Sequence, residues 1–570
     1  MNNSVIIHTR DKAWAQLSDQ SFQQAWKHLY DDCPWATPFQ SPAFVCSWFD
    51  NYRSRYSPII ISLPKADQRL YGLLVLAMSV EQRRLVVAGA HQAEYQVWLA
   101  TTDSHGDFIT RALAALDLAF PGCNLVFKYL PNEVPVQVLL EEGAVAKRAE
   151  LKLHQRPLIQ IDKKDLDDSF RKKSNKSRFN RLQRLGELKF ERITDEKIFT
   201  AIFDEIIDLY DFRQGAVNNT LPFLQDTLKK PFHLDMMKQH PKLLHVTLTT
   251  LDSKPIAAHI GIVGKDQVHV AILAYSPFYA HHSPGKLHLM LLGRQFVQEG
   301  CKWLDLTPGG AWKERFANSY DEVYELVLHK SAGARAIRVY LTQMLDWLKG
   351  TAKSVGIVPD RVRRFYKCLQ HIRLSNIVDM LSRAVWEKAE LRIYRYTTGS
   401  LLSASYSGQM KKDYLPDLLK FDPAESSQTK GSFLAEALQR MERGEHIYTF
   451  ASGERLLYYG WISERQGEFF LTEVQHRFQY PDKSAVLYDF YIHPQAGGYD
   501  FYQESLQQIL SDVNKCGGVK WVYISIREDN GPFLLTLDKI GFEHQCSLFY
   551  YRVLGFIKKG IYFSPRSENK

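Results

Sequence analysis

Residues 271–316 constrain the fold of this chain more than any other stretch. The apolar run Ala271-Ile-Leu-Ala-Tyr275 reads as a strand, and Ser283-Pro284-Gly285-Lys286 reads as a tight turn that opens an amphipathic helix over 285–299. A second strand follows, Trp303-Leu304-Asp305-Leu306, and it ends in another glycine turn at Gly309-Gly310, with Lys313 and Arg315 just beyond. The first N–H groups of a helix have no partner inside it, and the positive end of the helix dipole lies there. A turn that leads from a strand into a helix start is therefore suited to hold an anion.

The 570 residues are too many for one core. At about 150 residues per domain they imply three or four units. The strand and helix pattern runs through three similar, domain-sized cycles, which is not a solenoid period. The expected organisation is a first unit over 1–162, a second over 163–330, a basic helical connector over 331–390, a third unit over 391–560 and a polar tail, expected to be disordered, over 561–570. The seven cysteines, at 33, 46, 123, 301, 368, 516 and 546, are scattered without a Cys-x-x-Cys pair. They read as buried free thiols in a reducing cytosol, and no ligand spacing supports a metal site. No apolar run reaches the roughly 18 residues of a membrane span, and the first ten residues lack the features of a signal peptide.

The net charge of +9 is concentrated. Residues 171–184 carry seven basic side chains (Arg171, Lys172, Lys173, Lys176, Arg178, Arg181, Arg184) and no acid, and 361–367 form a second basic zone. Such runs are usually solvated faces, but here they also suit phosphates of a cofactor, of an activated glycan or of an anionic membrane. Nothing resembles a nucleic-acid reading motif.

Several short motifs occur in an order and spacing that resemble the FemAB/CelD-like (BioF-type) acyltransferases of the GNAT superfamily. They are Pro38-Phe-Gln-Ser41-Pro42, Gly89-Ala90-His91 with Glu94-Tyr95, Gly261, Tyr275, Ser283-Pro284-Gly285, Asp305, Gly309 and Lys313-Glu314-Arg315-Phe316. The resemblance covers some 300 residues and implies an α/β (α+β) fold of tandem GNAT-like units, each a central mixed sheet flanked by helices. It implies an acyl-donor site in the second unit. Residues 391–560 resemble a further GNAT domain, but the turn Gln495-Ala496-Gly497-Gly498-Tyr499-Asp500 departs from that family's pyrophosphate loop. Asp500 would place a negative charge beside a phosphate, so this unit is expected to be structural or to bind an acceptor.

Acyl transfer from a thioester requires that the donor be held, the acceptor deprotonated and the oxyanion stabilised; no covalent nucleophile is required. Tyr275, Ser283, Gly285 and Lys286 are the expected donor-binding residues for acetyl-CoA or another acyl-CoA; the simpler reading of this turn is a helix cap. His259, polar in an apolar strand, is either a satisfied core residue or a base. Asp305 either caps its turn or orients and deprotonates the acceptor. Lys313 and Arg315 grip an anionic acceptor or make surface salt bridges, and Gly309, Glu94 and Tyr95 complete the expected acceptor site.

The favoured function is an acyl-CoA-dependent N- or O-acyltransferase acting on a sugar or a nucleotide- or lipid-linked precursor in polysaccharide or cell-envelope biosynthesis. Two alternatives remain: a Fem-like transferase fed by aminoacyl-tRNA, and a catalytically inactive scaffold of a polysaccharide-synthesis complex. The expected location is cytoplasmic, with possible contact at the inner membrane face. Helices between 335 and 395 mix Trp347, Phe365, Tyr366 and Trp386 with basic residues, as either a membrane-surface helix or a packing connector would.

Overall fold

The computed structural model describes residues 4–65, 67, 69–102, 106–141, 143–354, 386–399, 410–422, 428–464, 467–471, 473–493, 499–528, 531–553 and 556–563. The basic zone at 361–367, with Phe365 and Tyr366, and the 495–498 turn lie outside these residues. The chain divides into two compact units. The first comprises Met1–Tyr210, Leu221–Ser276 and His282–Thr351, and the second Asp211–Thr220, Pro277–His281 and Ala352–Lys570.

The first unit contains two sheets. The smaller joins β1 (Ile6–Thr9), β2 (Tyr56–Pro64), β3 (Leu70–Ser79) and β4 (Leu85–Val87) in that order, with β5 (Leu99–Ala100) also on β3. The larger has eight strands: β6 (Leu125–Pro131), β7 (Ala149–Gln160), β8 (Leu188–Ile193), β9 (Leu244–Leu251), β10 (Lys254–Val263), β11 (Gln267–Tyr275), β12 (Trp303–Asp305) and β13 (Ser319–Leu328). Their order is β6-β13-β7-β12-β11-β10-β9-β8. The boundary expected at 162/163 therefore falls inside the stretch that builds this one sheet.

Four helices of this unit matter for function: α1 (Lys163–Arg171), α2 (Lys173–Leu185), α3 (Pro284–Glu299) and α4 (Ala332–Ser354). Pro284 occupies the first position of α3, where a missing N–H costs nothing, and Gly300 closes it in a left-handed conformation at φ 72°. Leu289, Leu292 and Phe296 of α3 pack on Val268, Val270, Leu304 and Leu306 of the sheet. Only β11 and β12 run parallel in this sheet, and α3 is the crossover such a pair needs.

The second unit contains β14 (Trp386–Thr397), β15 (Lys411–Lys412), β16 (His446–Ser452), β17 (Arg455–Ser463), β18 (Gly467–Leu471), β19 (His476–Tyr480), β20 (Ser484–Ile492), β21 (Trp521–Arg527), β22 (Glu543–Val553) and β23 (Phe556–Phe563). Eight of them form a sheet in the order β15-β16-β17-β20-β21-β14-β22-β23, and β18 and β19 form a ribbon. Here too one pair, β20 and β21, is parallel, bridged by α5 (Tyr499–Cys516), and α6 (Gly531–Ile540) follows.

One expected strand is corrected. Residues 95–99 are not a strand; only Leu99–Ala100 pairs. Other groups take the backbone there: Gln40 Nε2 donates to the Tyr95 carbonyl at 2.8 Å, Trp35 Nε1 to that of Trp98 at 2.8 Å, and the Gln96 N–H goes to Lys128 at 2.8 Å. Strands β7, β13 and β14 were not expected. The connector region holds α4 and the start of β14, with 355–385 outside the described residues. Among the described residues no helix is long and apolar enough to cross a membrane.

Candidate acyl-transfer site

The parallel pair β11–β12 is short. Gln267 pairs with Trp303, Val268 with Leu304 and His269 with Asp305, and there the pairing ends. Strand β11 runs on to Tyr275, whereas after Asp305 the chain turns away and the Leu306 N–H bonds Pro157 on β7. The last rung, His269–Asp305, therefore stands at the apex of an opened strand pair. Backbone groups of β11 beyond it lack a parallel partner, and buried backbone of this kind needs one.

The rung is polar and fully buried. Asp305 Oδ2 accepts the Tyr95 hydroxyl at 2.6 Å and contacts His269 Nδ1 at 3.0 Å, with Arg156 Nη1 at 3.5 Å. Asp305 Oδ1 accepts the Thr307 N–H at 2.7 Å and so fixes the start of the glycine turn. Burial alone would raise the Asp305 carboxyl, but His269, Arg156 and the Tyr95 hydroxyl hold it below its usual value. The Tyr95 phenol is pushed well up by burial and by the Asp305 charge, so it stays a hydroxyl donor. Arg156, on β7, is held cationic against its own burial by Asp321, Tyr95 and Asp305.

The motif Pro38-Phe-Gln-Ser41 has a clear task in this arrangement. It forms a short 3-10 turn, and besides the Gln40 bond to Tyr95, the Phe39 ring stacks on Tyr95 at 6.0 Å and meets His269 edge-on at 5.5 Å. A turn near residue 40 thus clamps a tyrosine onto a carboxylate 210 residues further along.

Lys313 adds a cation at the same place. Its ammonium donates to the Thr307 hydroxyl at 2.7 Å and to the Thr307 carbonyl at 3.0 Å, rather than to Glu314 or Glu322. Burial, helped by Lys128, lowers it to about 8, against the pull of Glu94 and Asp305. Glu94 itself is paired with Lys128 at 2.6 Å. Gly309 and Gly310 take φ of +83° and +90°, a left-handed turn that suits glycine. Arg315 is exposed at the end of a 3-10 turn.

The expected donor residues meet at the start of α3. Ser283 takes a left-handed conformation (φ 56°), and its side chain makes no cap hydrogen bond, so the first amides of α3 have no side-chain cap. Gly285 lies against Tyr275; a Cβ there would stand 2.9 Å from the Tyr275 ring. Lys286 is lowered by burial and by Arg178 and Lys172, which places the basic α1–α2 segment beside this helix start. Further along α2, Lys173, Lys176, Arg181 and Arg184 line a surface cavity of 230 Å³.

His259 is not brought to Asp305. It lies under α3, on the opposite face of the sheet, with its ring 6.4 Å from Phe296 and 5.7 Å from His245. Thr247, its register partner on β9, bonds His288 of α3. His259 is fully buried, neither ring nitrogen has a hydrogen-bond partner, and burial holds its pKa well below the usual value. The residues that reading the sequence missed are Arg156, His269, Lys128 and Thr307. The signal for His269 was its polarity within the apolar run 267–273, the same signal that drew attention to His259.

Residues 169–314 match the model of a family described as the acetyltransferase (GNAT) domain. None of the curated proteins matches the chain. Among solved structures the chain is similar to a conserved protein of unknown function from Bacteroides thetaiotaomicron VPI-5482, at 13% identity over 57% of this chain and 100% of that one, with a TM-score of 0.37. It is also similar to FemX, at 11% identity over 54% of this chain and 96% of FemX, with a TM-score of 0.31. A third likeness is to a tandem GNAT protein from the clavulanic acid biosynthesis pathway, at 12% identity over 65% and 99%, with a TM-score of 0.21. Residues 169–314 are thus similar to the acetyltransferase (GNAT) domain, and they lie in a mixed α/β frame.

Proposed function

We propose that the first unit transfers an acyl group from an acyl-CoA to an amine or hydroxyl of an acceptor, at the opening between β11 and β12. The observation that carries this reading is the break in the parallel pair after His269–Asp305, with the uncapped start of α3 at the far end of β11. The donor pyrophosphate would lie on the first amides of α3, with Lys286 and the basic α1–α2 segment supplying charge. The thioester would then run along the free edge of β11, whose N–H groups can hold its carbonyl oxygen and the oxyanion that forms from it.

In this reading the acceptor lies near Lys313. In its neutral form the Lys313 amine takes the acceptor proton while the acceptor nitrogen or oxygen attacks the thioester carbon. The C–S bond breaks and CoA leaves as thiolate, which takes up a proton. Asp305 does not move the proton; it holds Tyr95 and the Thr307 turn, and through that turn Lys313, in place. His259 has no part in this reaction because α3 and the sheet enclose it. For the acceptor we favour a sugar or a nucleotide- or lipid-linked envelope precursor, following the sequence resemblance.

Calorimetry with acetyl-CoA and longer acyl-CoAs tests the reading. Wild-type protein is expected to bind one of them. Gly285→Ala, whose methyl meets the Tyr275 ring, is expected to weaken binding roughly tenfold, equivalent to about 1.4 kcal/mol. A wild-type protein that binds no acyl-CoA overturns the proposal, and turnover with aminoacyl-tRNA instead would replace it.

A further inference from the structure

A surface cavity of 480 Å³ lies in the first unit, and none of its lining residues belongs to the acyl-transfer site. Its floor is apolar. Val126 of β6 and Val327 of β13 are register partners, so their side chains share one face of the sheet, and Leu85 at the start of β4 adds to that floor. Its rim is cationic. Arg83 and Arg84 end the β3–β4 turn, and Arg338 comes from the second turn of α4. All three are exposed. Among the described residues none of them makes an ion pair.

The turn presents its two arginines in a fixed way. The Arg83 N–H donates to the Ser79 carbonyl at 3.0 Å, and the Ser79 N–H donates to that of Arg84 at 2.9 Å. Arg83 takes φ 48°, a left-handed conformation that glycine or asparagine adopts at less cost. Strain of this kind points to a role other than local stability. The cavity also carries one acid. Glu325 lies two residues before Val327 on the same face of β13, and Lys152 Nζ stands 3.4 Å from one of its oxygens. Its other oxygen has no partner among the described residues. Asn124 spends its carbonyl oxygen on the Lys330 N–H at 2.7 Å, which leaves its NH2 group to the cavity. His329 is taken by Glu150 at 2.7 Å, and Glu81 of the turn does not line the space.

We propose that this cavity binds an organic phosphate of the nucleotide or sugar-phosphate class. Three guanidiniums around one space repel one another, and Glu325, shared with Lys152, balances at most one of them. Phosphate oxygens relieve that repulsion, because a guanidinium holds them through two parallel N–H bonds. The floor of Val126, Val327 and Leu85 receives the face of a ring, and Glu325 accepts a hydroxyl or amine that the ring carries. A bare phosphate leaves both features unused. The volume also falls in the range of about 300–1,000 Å³ that small-molecule sites occupy. The proposal is independent of the acyl-transfer reading.

Calorimetry on the full chain tests it, with uridine monophosphate, glucose phosphate and inorganic phosphate as probes; the first two separate the nucleotide from the sugar phosphate. One of the organic phosphates is expected to bind roughly tenfold more tightly than inorganic phosphate. Arg84→Ala with Arg338→Ala is expected to weaken it on the order of a hundredfold, with thermal melting confirming the fold. Should that variant melt early, Arg84→Lys with Arg338→Lys, which keeps the charge and loses the fork, is expected to weaken it about tenfold. Glu325→Gln is expected to weaken the organic phosphate about tenfold and to leave inorganic phosphate unchanged or tighter. The proposal fails if neither organic phosphate binds, or if inorganic phosphate binds as tightly as both, which would make the arginines a plain counterion patch. It fails equally if binding survives the arginine variants undiminished, because the probe then sits elsewhere on the chain.

Discussion

The two eight-stranded sheets share one plan and differ in what they bury. In each, a single parallel pair is bridged by one helix, and a strand that precedes the pair in sequence (β7 or β14) lies directly beside its second member. On the face away from the helix, the first sheet places His269 and Asp305 side by side. The second places Val486 beside Tyr523 in a cluster with Leu391, Ile393, Val474 and Tyr480, covered by its own β18–β19 ribbon. On the helix side the contrast recurs: His245, His259 and His288 lie at α3, whereas Leu506, Ile509 and Leu510 of α5 share a cluster with Ile462, Leu487, Val522 and Ile524 and with the rings of Tyr394, Tyr396, Tyr448 and Tyr458. One backbone plan therefore serves either as a core or as a polar site. A buried carboxylate persists only where each of its oxygens has a partner, and for Asp305 those partners are Tyr95, His269, Arg156 and the Thr307 N–H.

The largest expected effect concerns acid. Burial lowers His233 to about 3, His288 to about 3 and His245 to about 4, and holds His259 well below its usual value. Below about 6.5 the unfolded chain takes up protons that these folded histidines refuse, so stability falls as pH falls toward about 4. Each such histidine contributes a loss of about 1.4 kcal/mol per pH unit in that window. Scanning calorimetry is expected to show two transitions, with that of the first unit moving down more steeply on acidification. Parallel shifts would mean that the histidines do not distinguish the two units.

Next in size is the rung itself. Asp305→Asn is expected to slow acyl transfer roughly 10²–10³-fold, the scale of one lost preorganised polar contact in a dry site. Tyr95→Phe removes only the hydroxyl and keeps the packing, and a loss of activity at normal stability would separate chemistry from folding. The matching change in the second unit, Tyr523→Phe, is expected to leave transfer unchanged. Activity that survives Asp305→Asn, or disappears with Tyr523→Phe, would break the comparison.

Part of this contrast was legible in the sequence. The glycine turns, the Ser41 cap, whose hydroxyl accepts the Phe44 N–H at 3.2 Å, and the apolar strands around 244–275 and 486–526 carry local signals. The site was legible in pieces: Tyr95, Asp305, Glu94 and Lys313 were each singled out, but nothing local says that a tyrosine and an aspartate 210 residues apart will share a proton-donor bond. Arg156 was missed because β7 reads Ala-Glu-Leu-Lys-Leu-His-Gln-Arg-Pro, whose charged residues and proline hide a strand in mid-sheet. His259 and His269 look alike in sequence, each polar in an apolar strand. Which face of the strand receives the helix separates them, and a period of two cannot tell one face from the other.

The smallest effect concerns Lys313, and it sharpens what the first unit adds to the shared plan. A base acts when neutral, and the amine is lowered from 10.5 to about 8 by burial with Lys128 nearby. Turnover is therefore expected to rise with pH and level off above about 8. Lys313→Met should lose that rise, and Lys313→Arg should not restore it, because a guanidinium stays protonated throughout this range. Glu94 opposes the lowering, so Glu94→Gln is expected to move the midpoint to lower pH by less than about one unit. If Lys313 only grips an anionic acceptor, the signs reverse: acceptor binding weakens as pH passes about 8, and arginine rescues KM. The pH profile of kcat, measured separately from that of KM, decides between a base and a clamp at the position where the chain leaves the opened strand pair.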